Sequence, residues 1–324
     1  MTRVDRWIVA WLTILIATAV EPALAQDYPI RSVRIIVPFP PGGTADALPR
    51  IIGDWLARKW GQAVVIENKA GAGGNVGAEV VANAEPDGYT LLSSPPPPLV
   101  INQNLYSKLG FDPAAFVPIS VMAIVPTALV VNPAKVSANT VPEFVALARA
   151  APDKITAATQ GNGTTSHLSS EMFQMLAKVK FVNVPYRGSA PALQGLVAGD
   201  VDIMFDNLGV SLSLVQAGKL KLIAVGTEKR MAALPDVPTI AETVPGFASS
   251  AWFAVVAPPK TPAGIAAKIN ADIGEALQQP EIAKRLTDLS ADPVGGTTAA
   301  AAAFMTEEAA RWGSVIKATG IKLD

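Results

Sequence analysis

The sequence predicts an α/β protein built as two domains, each a sheet flanked by helices. Three observations predict it. Short β-branched runs alternate with segments of helical spacing along most of the chain, starting with "VRIIVPF" at 33 to 39 and "TADALPRIIGDWLARKW" at 44 to 60. A second series of the same design begins after the apolar extended stretch at 116 to 133. The chain has 324 residues and no cysteine, so its stability must come from large apolar cores, and its length suits two domains.

The segment "MTRVDRWIVAWLTILIATAVEPALAQ" stands apart from this alternation. Arg3 and Arg6 precede an apolar run from 7 to 20, and Glu21-Pro22 is followed by Ala23-Leu24-Ala25. That order is expected of a cleavable signal peptide at 1–25, with a mature start at Gln26 and a periplasmic destination. The apolar run is shorter than the ~20 residues of a spanning helix. Its removal takes away Arg3, Arg6, Asp5 and Glu21, so the formal net charge of −1 is kept.

A near-neutral chain argues against nucleic acid as a partner, because duplex binding needs a concentrated basic face. With no cysteine and a single histidine, His167, structural zinc and thiol nucleophiles are excluded, and neither a metal nor another cofactor is expected. Ser166 beside His167, with Asp206 in the same domain, does not make a hydrolase triad: adjacent helical side chains diverge, and no G-x-S-x-G elbow occurs at "GTTSH". No catalytic residue is assigned.

The elements follow in order. "AVVIENK" (63 to 69) completes a βαβ unit with the first strand and helix. "GAGGNVG" (71 to 77) lacks both the Walker lysine and the Rossmann order, and is expected to be a flexible loop before a helix starting near Asn75. Pro86-Asp87-Gly88 turns the chain into a third strand at "YTLL". The four prolines of "SSPPPPLVIN" are expected to make Ser93 to Pro98 a stiff extended loop. It leaves the same sheet edge as "PFPPGG" at 38 to 43, where open α/β sheets hold their ligands. The two loops are therefore expected to face one site.

"FVPISVMAIVPTALVVNP" (116 to 133) reads as two extended pieces leading into the second series, whose strands are expected near 154–160, 181–186, 200–207 and 220–227, with helices between them. "SSAWFAVVAPPKTP" (249 to 262) reads as a return strand, and the rest is helical, including the alanine run at 299 to 303. Assigning those last helices to the first domain makes it discontinuous: residues 26–126 plus 251–324, with the second domain at 127–250 and the chain crossing between them twice.

Several short stretches combine strand end, glycine and helix start. In "VPFPPGGTADALPR" the chain turns through Gly42 and Gly43 and starts a helix with Thr44 and Asp46, which leaves backbone N–H groups open to an anion. "ATQGNGTTSHLSSE" repeats the plan: Gly161 and Gly163 turn the chain, and Thr164, Thr165 or Ser166 caps the helix. In "VPYRGSAPAL", Tyr186 offers a hydroxyl and a flat wall, and Arg187 is placed to pair with a carboxylate or with Asp206. Asp206 ends the apolar strand "IMFDN" and needs a partner: backbone N–H groups, Arg187, or a donor on a ligand.

The stretches "YPIRSVRIIVPFPPGGTADALPRIIGDWLARKWGQAVVIENKAGAGGNVGAEVVANAEPDGYTLL", "VPYRGSAPALQGLVAGDVDIMFDN", "GKLKLIAVGTEKRMAALPDVPTIAE" and "WFAVVAPPKTP" together resemble the Bug family of periplasmic solute-binding proteins. The resemblance implies a type II periplasmic-binding-protein fold of two lobes joined by a hinge of crossing strands. It implies a receptor, expected to be monomeric, that takes a small organic acid between the lobes and delivers it to the membrane permease of a tripartite tricarboxylate transporter. Presentation of the ligand to a two-component sensor kinase is the alternative. Carried over, the family pocket maps to Phe39, Gly42, Gly43, Thr44, Ala45 and Ser94 on one side and to Gly163, Thr164, Ser166, Tyr186, Arg187 and Asp206 on the other. The chain departs from the family's small polar loop at "SSPPPPLVIN". With backbone donors removed from one wall, a less polar or aromatic acid is expected rather than citrate.

Overall fold

The computed structural model describes residues 28–323, so the signal peptide expected at 1–25 and the Gln26 start lie outside the described residues. The first βαβ unit is β1 (Val33–Val37), α1 (Thr44–Trp60) and β2 (Val64–Asn68). β1 pairs in parallel with both β2 and β3 (Thr90–Ser94), and α2 (Asn75–Ala82) lies between those two strands in the chain. Leu48, Ile51, Ile52 and Leu56 of α1 are buried at helical spacing, which is why this segment is a helix packed on a sheet rather than a free one.

The proline segment departs from the expected extended loop. Ser93 and Ser94 end β3, and Pro97–Ile101 forms a π-helical turn that runs into α3 (Asn102–Leu105). Pro97 and Pro98 stand in its first turn, where a backbone N–H would have no intrahelical acceptor, so their missing donors cost nothing there. Prolines exclude a helix interior but not its first turn, so the position of Pro97 and Pro98 permits a helical segment where an extended one was expected.

The expected pair of extended pieces is one long strand, β4 (Val117–Val131). It joins two sheets. From Val117 to Pro126 it pairs antiparallel with β9 (Ser250–Ala257), which continues to β3; from Thr127 onward it pairs with β7 (Ile203–Asn207). The strand order is β2-β1-β3-β9-β4-β7-β5-β6, with β8 (Lys221–Val225) and β10 (Asp292–Gly295) also pairing to β4. The second series supplies α4 (Val141–Ala150), β5 (Thr156–Thr159), α5 (Thr165–Ala177), β6 (Val182–Pro185), α6 (Ser189–Ala198) and α7 (Leu208–Gln216). The last helices are α8 (Ala263–Leu277), α9 (Pro280–Asp288) and α10 (Thr298–Thr319).

Each sheet has its own core. Phe144, Phe173, Phe181, Phe205 and Phe247 stack in tilted and edge contacts beside the β5–β7 sheet. Beside β1, β3 and β9 the core holds Ile36, Leu92 and Trp252 together with Met305, Trp312 and Ile316 of α10. One carboxylate, Glu308, binds the last helix to the return strand: its Oε2 accepts from Trp252 Nε1 at 2.7 Å and from Trp312 Nε1 at 3.1 Å. No helix among the described residues is long and apolar enough to cross a membrane.

Candidate functional site

The turn from β1 to α1 is fixed from below. Asp46 lies at 7% exposure; its Oδ2 accepts the Gly42 N–H at 3.3 Å, and its Oδ1 accepts from Arg50 Nη2 at 2.8 Å and Asn68 Nδ2 at 2.9 Å. Burial acts to raise the Asp46 carboxyl, but the bonds from Arg50, Asn68 and Gly42 outweigh it and hold the group below the usual aspartate range. Asn68 also donates to the Phe39 carbonyl at 2.9 Å, so β2 anchors the proline turn. Gly42 needs its φ of +94° to make this turn. The N–H groups of Gly43, Thr44 and Ala45 donate to no acceptor among the described residues.

The turn into α5 follows the same plan with different parts. Thr164 caps the helix by accepting the His167 N–H at 3.4 Å, and the Gly163 N–H donates to His167 Nδ1 at 3.1 Å. The imidazole is therefore a hydrogen-bond acceptor at Nδ1, and burial lowers its pKa. The N–H groups of Thr165 and Ser166 are free of protein acceptors among the described residues. α6 begins at Ser189 after Gly188, whose φ is +104°, and α7 begins directly after Asn207.

These starts meet at one cavity. It spans about 470 Å³ of non-atom space, open solvent included, and is lined by Gly43, Thr44 and Ala45 at the start of α1, Thr164 and Thr165 at the start of α5, Gly188 and Ser189 at the start of α6, and Asn207 before α7. Phe39, Pro40, Pro95, Pro97, Ala251 and Phe253 supply its apolar walls, and Gln160 completes it. Among the described residues, no charged side chain lines it. Four helix N-termini, each with unpaired N–H groups or a capping residue at the wall, give it a positive potential without a formal cation. Both proline loops contribute, as expected.

A larger outer chamber of about 1130 Å³, open to solvent, adjoins it and shares Phe39, Pro40, Gln160, Thr164 and Gly188. The Ala70 to Gly74 stretch forms one wall, and Asn162, Tyr186 and Arg187 form another. The stretch read as a flexible loop is a 3-10 turn, Ala72–Gly74, held by Asn102 Nδ2 on the Gly73 carbonyl at 3.0 Å.

The expected site residues fall into two groups. Phe39, Gly43, Thr44, Ala45 and Thr164 line the inner cavity, and Tyr186 and Arg187 line the outer chamber. Gly42, Ser94, Gly163, Ser166 and Asp206 line neither. The Gly42 and Gly163 N–H groups are engaged by Asp46 and His167, and the Ser94 hydroxyl donates to the Pro95 carbonyl at 2.9 Å. Ser166 is buried, and among the described residues its hydroxyl has no partner, His167 included. The Tyr186 hydroxyl packs against Gly195 of α6, where a side chain would collide with it.

Asp206 stands behind the cavity wall and holds two of its residues. It is 1% exposed, and its Oδ1 accepts from Gln160 Nε2 at 2.8 Å and Ser189 Oγ at 3.1 Å, not from Arg187. Burial pushes its carboxyl up to about 6, against the lowering influence of Gln160, Ser189, the Asn207 N–H and Ser211. Gln160, Ser189 and Asn207 are the polar wall residues that sequence reasoning passed over. Each stands next to a residue or turn it had singled out, so the signal was there, but a βα turn does not tell which neighbour faces inward. Among the described residues, no three of His, Cys, Asp or Glu gather to hold a metal ion.

Comparison with known proteins agrees with this geometry. Residues 48–321 match the family model described as the tripartite tricarboxylate transporter family receptor, TctC. Protein BugT of Bordetella pertussis is 36% identical over 328 residues, spanning 100% of this chain and 99% of BugT. The structure of R. palustris Rpa4515 with adipate superposes with a TM-score of 0.88 at 37% identity, covering 91% of this chain and 99% of the other. MatC from Rhodopseudomonas palustris with bound malate gives 0.83 at 35% identity, covering 89% and 100%. The chain therefore belongs to the tripartite tricarboxylate transporter receptor family, with the α/β two-lobed architecture of periplasmic binding proteins.

Proposed function

We propose that this protein is a periplasmic receptor that binds a small organic acid in the inner cavity and delivers it to a membrane permease of the tripartite type, acting as a monomer and without catalysis. The observation that carries this reading is the convergence of the α1, α5, α6 and α7 starts on a cavity that has no charged side chain of its own. Such a site favours a carboxylate, which accepts several backbone N–H bonds at once. Solved structures of similar proteins with adipate and with bound malate support the ligand class.

The carboxylate sits against Gly43, Thr44 and Ala45 on one side and Thr164, Thr165 and Ser189 on the other. The body of the acid lies on Phe39, Pro40, Pro95 and Phe253, and that wall favours a less polar acid over citrate. Gly42, Ser94, Gly163, Ser166 and Asp206 support the wall from behind. The switch of β4 from β9 to β7 between Pro126 and Thr127 supports a division into lobes at 26–126 with 251–324 and at 127–250. Ligand closes the lobes because the N-termini from both meet it only together.

The test is a thermal-shift screen against mono-, di- and tricarboxylates, aromatic acids and amino acids, with calorimetry on the hits. A specific ligand at a hundredfold excess over Kd adds about 2.7 kcal/mol of stability. Binding of an organic acid, weakened by Ser189→Ala, supports the receptor reading. A protein that binds no acid after unfolding and refolding, with no small molecule released in the process, overturns it.

A further inference from the structure

We propose that residues 321–323, just after α10, form a strap that clamps the ligand-bound form: Leu323 seats in a socket at Gly163 and slows release of the acid. This rests on the reading that an acid in the inner cavity closes the two halves of the chain. Leu323 lines neither the inner cavity nor the outer chamber, so it is a positioning residue that touches no ligand. Its sequence surroundings build the strap. Gly320 caps α10 in the left-handed conformation, φ +71°, and its N–H donates to the Ile316 carbonyl at 2.9 Å, which turns the chain off the helix. Ile321 and Leu323 then pack on the core beside β1, β3 and β9, while Lys322 between them is exposed.

Two contacts hold Leu323, one to each half. Its N–H donates to the Leu105 carbonyl at 2.9 Å, which ties the strap to α3 of the first series. On the other side is Gly163, in the turn that opens α5 of the second series. A Cβ on Gly163 would lie 2.8 Å from Leu323 Cδ1 and 2.9 Å from Leu105 Cδ1, so the missing side chain is the socket that both leucines fill. Tyr106, next to Leu105, and Asn162, next to Gly163, both line the outer chamber, and Thr164 lines the inner cavity as well. The contact therefore stands directly behind walls that an acid meets. Opening the halves carries Gly163 away while the Leu105 bond keeps the strap in place, and Leu323 and Leu105 then face water, which opposes opening. An acid enters the form in which this contact is not yet made, so the strap acts on release and not on entry.

The experiment is stopped-flow fluorescence of association and release on the wild-type protein, Leu323→Ala, Leu323→Met and a chain ended after Gly320, with adipate, malate and benzoate as probes. For the acid among these that the wild type holds most tightly, Leu323→Ala and the shortened chain should release it about tenfold faster while association changes by less than about twofold, with Leu323→Met near wild type. Hydrogen exchange at the Leu323 amide should slow when the same acid is added. Melting temperatures without acid should match wild type for all three variants. An unchanged release rate, or a Leu323 amide equally protected with and without acid, overturns the strap while leaving the receptor reading intact. A melting temperature lowered equally with and without acid makes Leu323 a fixed part of the core and overturns the strap as well. If no acid of the thermal-shift screen binds the wild type, the receptor reading fails and the strap fails with it.

Discussion

The Gln160 side chain donates to Asp206 Oδ1 at 2.8 Å, so a residue on the wall of the inner cavity is oriented by a carboxyl that solvent barely reaches. The same oxygen takes the Ser189 hydroxyl, and one buried group thus fixes two wall donors, one just after β5 and one at the start of α6. Burial has a second consequence: the Asp206 carboxyl titrates near 6, where a free aspartate titrates near 3.8.

A group whose folded pKa is raised contributes stability that is fully present below its unfolded pKa and is lost as pH rises through the folded value. Asp206 therefore favours the folded state below about pH 4 and loses that contribution between about 4 and 6. Asp206→Asn keeps an oxygen for Gln160 and Ser189 and cannot ionise. Its stability relative to wild type should rise across that window by up to about 3 kcal/mol, the shift converted at about 1.36 kcal/mol per pKa unit. Urea denaturation at pH 4, 5, 6 and 7 checks this, and parallel curves for the two proteins would show that Asp206 does not titrate in the window.

His167 has the opposite sign. Its Nδ1 accepts the Gly163 N–H, and burial lowers its pKa below the ordinary histidine value of about 6.5. The unfolded chain then binds the proton more readily, so stability is full above about 6.5 and is lost as pH falls toward the depressed folded value. Protonation also converts Nδ1 to a donor and ends the Gly163 bond; Glu171, with Oε1 3.7 Å from Nε2, offsets part of the charge. Burial raises the Glu171 carboxyl, which gives it the reverse slope, so the histidine contribution is isolated by difference. His167→Ala leaves the buried Gly163 N–H without an acceptor and should cost about 1–3 kcal/mol at pH 7.5. That deficit should shrink as pH falls below 6.5, and a deficit constant with pH would mean that His167 is already protonated or never titrates.

Most of the fold was legible because burial and period agree. Leu48, Ile51, Ile52 and Leu56 mark the buried face of α1 through Pro49, and the helix runs over the expected residues 44 to 60. The misreadings came where local chemistry permits two outcomes. Prolines forbid a helix interior but not its first turn, and only the packing of Leu99, Val100 and Ile101 into the core decides for helix. β10 was missed because Asp292, Pro293 and Val294 are exposed and carry no alternation; its pairing with β4 defines it. In the site, glycines and capping hydroxyls disclosed the turns, but the second role of Asp46, His167 and Asp206 beneath them is a tertiary relationship with no sequence period.

Glu308 joins elements far apart in the chain, and its removal should be felt in stability. Trp252 is 1% exposed and Trp312 0%, and Glu308 Oε2 accepts from both indole N–H groups while Arg311 pairs with the same carboxylate. Glu308→Ala strands two buried donors and should lower stability by about 2–4 kcal/mol. Glu308→Gln keeps an acceptor oxygen and should lose roughly half of that. Denaturant unfolding followed by tryptophan fluorescence checks both, and equal stability of Glu308→Ala and wild type would mean that water replaces the carboxylate at both indoles.

Gly209, in the first turn of α7, lies so close to the chain between α9 and β10 that a Cβ would fall 1.8 Å from the Leu289 carbonyl oxygen. Backbone on the other side cannot rotate away, so any side chain must push the two segments apart. α7 belongs to the sheet reached after Thr127, and Leu289 to the helices packed on the other sheet, so the contact exists only while the two halves are together. If ligand binding closes these halves, Gly209→Ala should weaken affinity at least tenfold, about 1.4 kcal/mol, by opposing closure. Each half keeps its own core, so the circular dichroism spectrum of the unliganded variant should match wild type. Calorimetry with an acid found in the screen checks the first outcome. Unchanged affinity would place the contact outside the closing motion, and a variant that fails to fold would mean that the two halves are packed together with or without ligand.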